Sequence, residues 1–195
     1  AEQASCIEGC LYTAGRGVMT SVQTSRQRKA EWFYRDRVGF MKQLYHDIQK
    51  FSNYCKKRGI QPCVRLNGTT DIRWELIPAM PHNKMNIFQE FPEVQFYDYT
   101  KIPNRKVADY PNYHLTWSYS AANPKYEELF WDVIRKGMSV AVVFRKPVNM
   151  TTWRGYKVVD GDKDDLRFLD PQSSIVALYA KGAAKHDSTG FVQDI

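Results

Sequence analysis

A chain of 195 residues, 43% hydrophobic and 14% aromatic, can bury a full apolar core and is too apolar for a disordered polymer. Its formal net charge of +7 excludes an acidic solvating protein and favours phosphate-bearing partners. Four cysteines are too few for a disulfide-built scaffold, and no apolar run is long enough to cross a membrane. A cytoplasmic protein is therefore expected. Because the chain opens on Ala1 rather than Met and shows no signal-peptide pattern, a truncated N-terminus is expected as well.

In chain order, Cys6 and Cys10 come first in C-x3-C spacing, followed by the glycine pair of "AGRGV" (Gly15, Arg16, Gly17). Residues 18–59 read as two helices. The first carries Arg26, Arg28, Lys29 and Arg35, contains no proline, and is expected to break near Phe33. The second sets Met41, Leu44, Ile48, Phe51 and Cys55 on one apolar stripe, puts Lys56, Lys57 and Arg58 at the negative end of its dipole, and stops at Gly59. From residue 62 onward the texture changes to short apolar runs. "CVRLNG" (63–68), "VQFYDYT" (94–100), "YHLTWSYS" (113–120), "SVAVVF" (139–144), "YKVVDG" (156–161) and "SIVALYA" (174–180) read as strands. "NIFQEF" is helical, and "NPKYEELFWDVIRKG" is a helix capped by Asn123, opened by Pro124 and stopped by Gly137.

No linker or repeat divides the chain, so residues 1–195 are read as a single α/β domain. Helices alternating with near-continuous apolar strands predict a mainly parallel sheet, either open or partly closed as a partial (βα) barrel. Chemistry in such sheets gathers beyond the C-terminal ends of the strands. Polar residues stand there: Asn67, Thr69 and Asp71; Asp98, Thr100 and Lys101; Ser118 and Ser120; Arg145; Asp160 and Asp162; Lys181. Each alone is what any solvated loop would carry; six ends together suggest a site.

Cys6 and Cys10 precede a helix, whose positive end favours thiolates able to hold a soft metal, but two ligands make half a site. Cys55 and Cys63 fall on an apolar helix face and at a strand start, where cysteine is more often a buried hydrophobe. His46, His82, His114 and His186 show no zinc spacing. "AGRGV" suits an anion on backbone amides yet lacks the full nucleotide fingerprints. "DGDKDD" spaces Asp160, Asp162 and Asp164 as a calcium loop does, but Asp165 takes the place of the required glycine. The aromatics of 96–100 and 113–120 offer rings for stacking on bases, although sheet packing is the commoner use. Alternation puts Phe96, Asp98 and Thr100 on one face and Tyr97 and Tyr99 on the other.

The blocks "CIEGCLYTAGRG", "VRLNGTTDIRWE", "FPEVQFYDYTKIPNR", "NYHLTWSYS", "VVDGDKDDLRFLDP" and "AKGAAKHDSTGFV" together resemble a phage-encoded family known as gene product eighty-eight. The resemblance spans nearly the whole chain and preserves block order. It brings no established activity, and it implies an infected host cell as the setting. Its organisation is similar to that of radical-SAM proteins, in which a cysteine motif opens a partial (βα) barrel and three cysteines hold a [4Fe–4S] cluster. The open iron of such a cluster takes S-adenosylmethionine. By this resemblance Cys6 and Cys10 are cluster ligands, while Gly15, Arg16, Gly17, Asn67, Thr69, Asp71, Asp98 and Lys101 line the cofactor pocket. Relatives carry another cysteine a few residues upstream of these two, whereas the C-x3-C-x2-C spacing puts the third at Thr13. Either the third ligand precedes Ala1 or the site is degenerate.

Two other readings follow from the residues. One is a non-catalytic nucleic-acid or host-protein binder using the basic region 16–37. The other is a metal-dependent phosphoesterase centred on Asp160, Asp162 and Asp71.

Overall fold

The structure, a computed structural model, describes residues 14–195. Among them are four α-helices and eight strands, with short 3-10 turns between. The chain folds as two compact units: Met19–Asp98 with Arg105–His114, and Tyr99–Asn104 with Leu115–Ile195 and residues 14–18.

The first unit opens with α1 (Thr20–Arg35) and α2 (Arg37–Arg58). They part at Asp36 rather than near Phe33, because Asp36 is the better cap: its Oδ1 accepts the Gly39 amide at 2.8 Å. Phe33 is instead buried, edge-on to Phe40 at 5.3 Å and to Trp74 at 5.5 Å. On α2 the buried stripe runs through Met41, Ile48, Ser52 and Cys55, while Phe51 stays 40% exposed. A helix of 3.6 residues per turn carries the stripe one position past Phe51, and Ser52 is tolerated there because its hydroxyl donates to Glu93 Oε1 at 2.8 Å. Gly59 ends α2 in the left-handed conformation, with φ of 65°.

The strand read over 63–68 is only β1 (Cys63–Val64), parallel to β2 (Gln95–Thr100) with Val64 opposite Phe96. Between them α3 (Ile87–Glu90) is fixed by a capping box. Asn86 Oδ1 accepts from Phe88 and Gln89 amides, and Gln89 Oε1 accepts from the Asn86 amide at 3.0 Å. β2 alternates as expected, with Phe96, Asp98 and Thr100 buried.

The second unit holds most of β3 (Tyr113–Ser118), then α4 (Pro124–Arg135), β4 (Ser139–Phe144), β5 (Thr152–Trp153), β6 (Tyr156–Asp160), β7 (Ile175–Tyr179) and β8 (Val192–Gln193). Asn123 caps α4 by accepting the Lys125 amide at 3.0 Å, and Gly137 stops it with φ of 95°. β4 is the apolar centre, with Trp117, Phe130, Ile134 and Ile175 in its cluster.

The sheet order is β1-β2-β3-β4-β7-β6-β5, with β8 also on β4. Pairs β1·β2, β3·β4, β4·β7, β6·β7 and β4·β8 are parallel, and the β5·β6 hairpin is antiparallel. That hairpin turns on Arg154 (φ 50°) and Gly155 (φ 84°), the pair of positive φ values that a two-residue type I′ turn requires. β7 covers one edge of β4 from Val140 to Phe144, so β8 must follow β3 along the other, at Val143 and Phe144.

Just past β6, Gly161 is demanded by packing. A Cβ there would sit 2.5 Å from Val176 Cγ1 and 2.9 Å from the Ala177 carbonyl oxygen. Gly161→Ala is expected to cost about 1–3 kcal/mol by overpacking, read as a lowered urea midpoint.

Candidate functional site

Cys6 and Cys10 lie outside the described residues. Cys55 is buried, and the Cys63 thiol is pushed up by burial and by the neighbouring Cys55, so Cys63 resists becoming a thiolate. Among the described residues, no three His, Cys, Asp or Glu side chains gather as a metal-holding group.

What the first unit does assemble is a buried polar chain. Beyond Val64 the backbone leaves the sheet and folds back at Asn67, which is 2% exposed. The Asn67 side chain organises that loop. Its Oδ1 accepts from Thr70 Oγ1 (2.9 Å), the Ile72 amide (3.0 Å) and Trp74 Nε1 (3.1 Å), while Nδ2 donates to the Ile72 carbonyl at 3.1 Å. The Asn67 amide donates to Asp98 Oδ1 at 2.7 Å, and Nδ2 also reaches Asp98 Oδ2 at 3.2 Å.

Asp98 stands on the inner face of β2, 1% exposed. Tyr113, at the start of β3, donates its hydroxyl to Asp98 Oδ2 at 3.0 Å and accepts from Arg105 Nη2 at 3.0 Å. Arg105 forks onto Glu75, with Nε to Oε1 at 3.0 Å and Nη2 to Oε2, and its Nη1 reaches Asp71 Oδ1 at 3.4 Å. Glu75 is held in turn by Asn86, whose Nδ2 donates to the Glu75 carbonyl at 3.1 Å. A continuous hydrogen-bonded path thus runs from Asp98 through Tyr113 and Arg105 to Asp71, whose side chain is 27% exposed.

Burial pushes the Asp98 carboxyl up to about 6, against the stabilising pull of the Asn67 amide, the Tyr113 hydroxyl, Arg65 and Arg105. Burial, and then the Asp98 charge, push the Tyr113 phenol upward, so it stays a neutral donor. A carboxyl that titrates near neutrality beside a fixed phenol can hold and release a proton.

The structure therefore brings Asn67, Asp71 and Asp98 together. Thr69 is exposed, and it is the Thr70 hydroxyl that joins the cluster. Lys101 belongs to the second unit, where Nζ donates to the Tyr119 carbonyl at 3.1 Å and lies 5.3 Å from the Phe191 ring. Gly15, Arg16 and Gly17 form a 3-10 turn in which the Gly17 amide is spent on the Ala14 carbonyl at 3.0 Å. That amide is thus committed to the turn rather than to an anion. The "DGDKDD" carboxylates are also spent locally. Asp160 accepts the Asp162 amide at 2.9 Å, Asp162 accepts the Tyr179 amide at 2.8 Å and pairs with Lys181, and Asp164 accepts the Leu166 amide at 3.0 Å. These are turn-building contacts.

Glu75, Arg105 and Tyr113 escape sequence reasoning. Glu75 sits between Trp74 and Leu76, and a charge flanked by large apolar residues is the one local sign that it is paired indoors.

Fold and site define a mixed α/β protein with a mostly parallel sheet and a buried polar cluster; among the described residues no helix is long and apolar enough to cross a membrane. The chain belongs to the phage family described as Gene product 88, a family of unknown function whose model matches residues 1–195. No curated protein and no solved structure matches the chain significantly.

Proposed function

We propose that the protein is an iron–sulfur protein on a partial (βα) barrel, with Cys6 and Cys10 as ligands of a [4Fe–4S] cluster and radical-SAM-type chemistry as its catalysis. The observation that carries this reading is the strand order. β1, β2, β3 and β4 follow one another in chain order, as the strands of a (βα) barrel do, before the order passes to β7-β6-β5, which makes the resemblance that of a partial barrel.

The donor set is compatible in kind: two thiolates in C-x3-C spacing have the softness iron needs. Cys55, which is buried, and Cys63, whose thiol is pushed up, are left outside the set, so a third ligand is still called for. When bound, a cluster with an open iron would supply an electron for reductive cleavage of S-adenosylmethionine. The chain's own contribution is the Asp98 carboxyl, made easier to protonate by burial and fixed in place by the Asn67 amide and the Tyr113 hydroxyl, with Arg105 keeping Tyr113 in place.

Anaerobic reconstitution with iron and sulfide tests the proposal. The expected product is brown, with absorbance at about 400 nm that is lost in Cys6→Ser with Cys10→Ser and kept in Cys55→Ser with Cys63→Ser. Colourless protein, or colour that depends on Cys55 and Cys63, overturns it.

A further inference from the structure

We infer that an open depression on the first unit, between the α1–α2 corner and the 70–77 loop, binds a single strand of nucleic acid. The inference does not depend on the iron–sulfur reading. The depression measures about 480 Å³ and is lined by Phe33, Tyr34, Arg37, Asp71, Arg73 and Leu76, among others. That volume is within the range of sites that enclose a small ligand, enough for about one nucleotide at a time.

Its chemistry pairs rings with guanidinium groups. Tyr34 is 72% exposed and Leu76 67%, an uncommon outlay of apolar surface on one rim. Arg37 lies over the Phe33 ring, 4.8 Å from its centroid, which orients the guanidinium. The stretch of sequence that carries Tyr34 is basic as well: Arg26, Arg28, Lys29, Arg35 and Arg37 stand against only Glu31 and Asp36. Both acids are engaged, Asp36 by the Gly39 amide at 2.8 Å and Glu31 by Gln27 Nε2 at 3.1 Å. At the depression itself, Asp71 is paired with Arg105 at 3.4 Å.

Arg37 also opens α2, at the positive end of the helix dipole, where a cation is disfavoured; the acid beside it, Asp36, is spent on capping the helix through the Gly39 amide. Its position is poor for helix stability and good for a phosphate arriving at the depression. The exposed Tyr34 ring can stack on the face of a base, which a duplex hides in its own stack, so the fitting partner is a single strand.

Fluorescence anisotropy of the full chain with labelled dT12, against the same sequence annealed to dA12, tests the inference. Tighter binding of the single strand is expected, together with a roughly 5- to 100-fold loss in Tyr34→Ala. In Arg37→Ala with Arg73→Ala, the slope of log affinity against log salt should fall by about 1.4, the share of two phosphate contacts. Lys56→Ala with Lys57→Ala removes equal charge from the far end of α2 and should leave affinity within about twofold. Cys6→Ser with Cys10→Ser should bind as the unaltered chain does, so that a failed cluster and a failed nucleic-acid site are told apart. Equal binding of duplex and single strand, an unchanged salt slope in the double-arginine variant, or an equal loss in the lysine variant overturns the proposal.

Discussion

Arg105→Met is expected to destabilise the protein by about 3–5 kcal/mol, the cost of leaving a buried charge without its partner. The Arg105 side chain is wholly buried and forks onto Glu75, itself 4% exposed at the side chain. Methionine keeps the apolar stem but removes every donor, so Glu75 faces the interior alone and Tyr113 loses the donor 3.0 Å from its hydroxyl. Glu75→Gln placed on top of Arg105→Met should recover part of the loss, because the residual charge is then gone. Urea unfolding followed by tryptophan fluorescence reads both. A cost under about 1 kcal/mol, the range of an exposed pair, would contradict the buried fork.

The second large effect is a pH dependence centred on Asp98. Its folded carboxyl titrates at about 6, above the ordinary carboxylate value, chiefly because of burial. The folded state therefore binds the proton more tightly than the unfolded state does. The contribution to stability is complete below about pH 4 and is lost as pH rises through about 6, for a total of about 3 kcal/mol. Other carboxylates slope the opposite way, among them Asp187 and Asp194, whose values lie below the ordinary range. The clean reading is the difference between the chain and its Asp98→Asn variant. From pH 4 to 7 the unaltered chain should lose about 2.5 kcal/mol of that total relative to that variant. Parallel stability curves would mean that Asp98 is not desolvated.

Much of the fold is legible because local and tertiary signals agree. β4 reads as a continuous apolar run since both its faces are covered, and α4 is bracketed by Asn123, Pro124 and Gly137. β5 and β8 are two residues each and carry no period to detect. β1 is shorter than its apolar run because Asn67 leaves the ladder to bond Asp98, thirty-one residues away, a choice made by tertiary partners. The site divides along the same line. Asn67, Asp71 and Asp98 stand out as polar residues around strands, where a parallel sheet concentrates chemistry. Arg105 reads as an ordinary loop cation, and only the fold reveals that it is buried on Glu75. Tyr113 reads as sheet packing, and it does stack on Phe88 at 3.9 Å; its hydroxyl contact with Asp98 leaves no local trace.

Iron and acid-labile sulfide per chain, measured on anaerobically isolated protein, test the central claim most directly. The account predicts about four of each per chain, falling to none in Cys6→Ser with Cys10→Ser. Zinc in place of iron, or no metal at all, would contradict it.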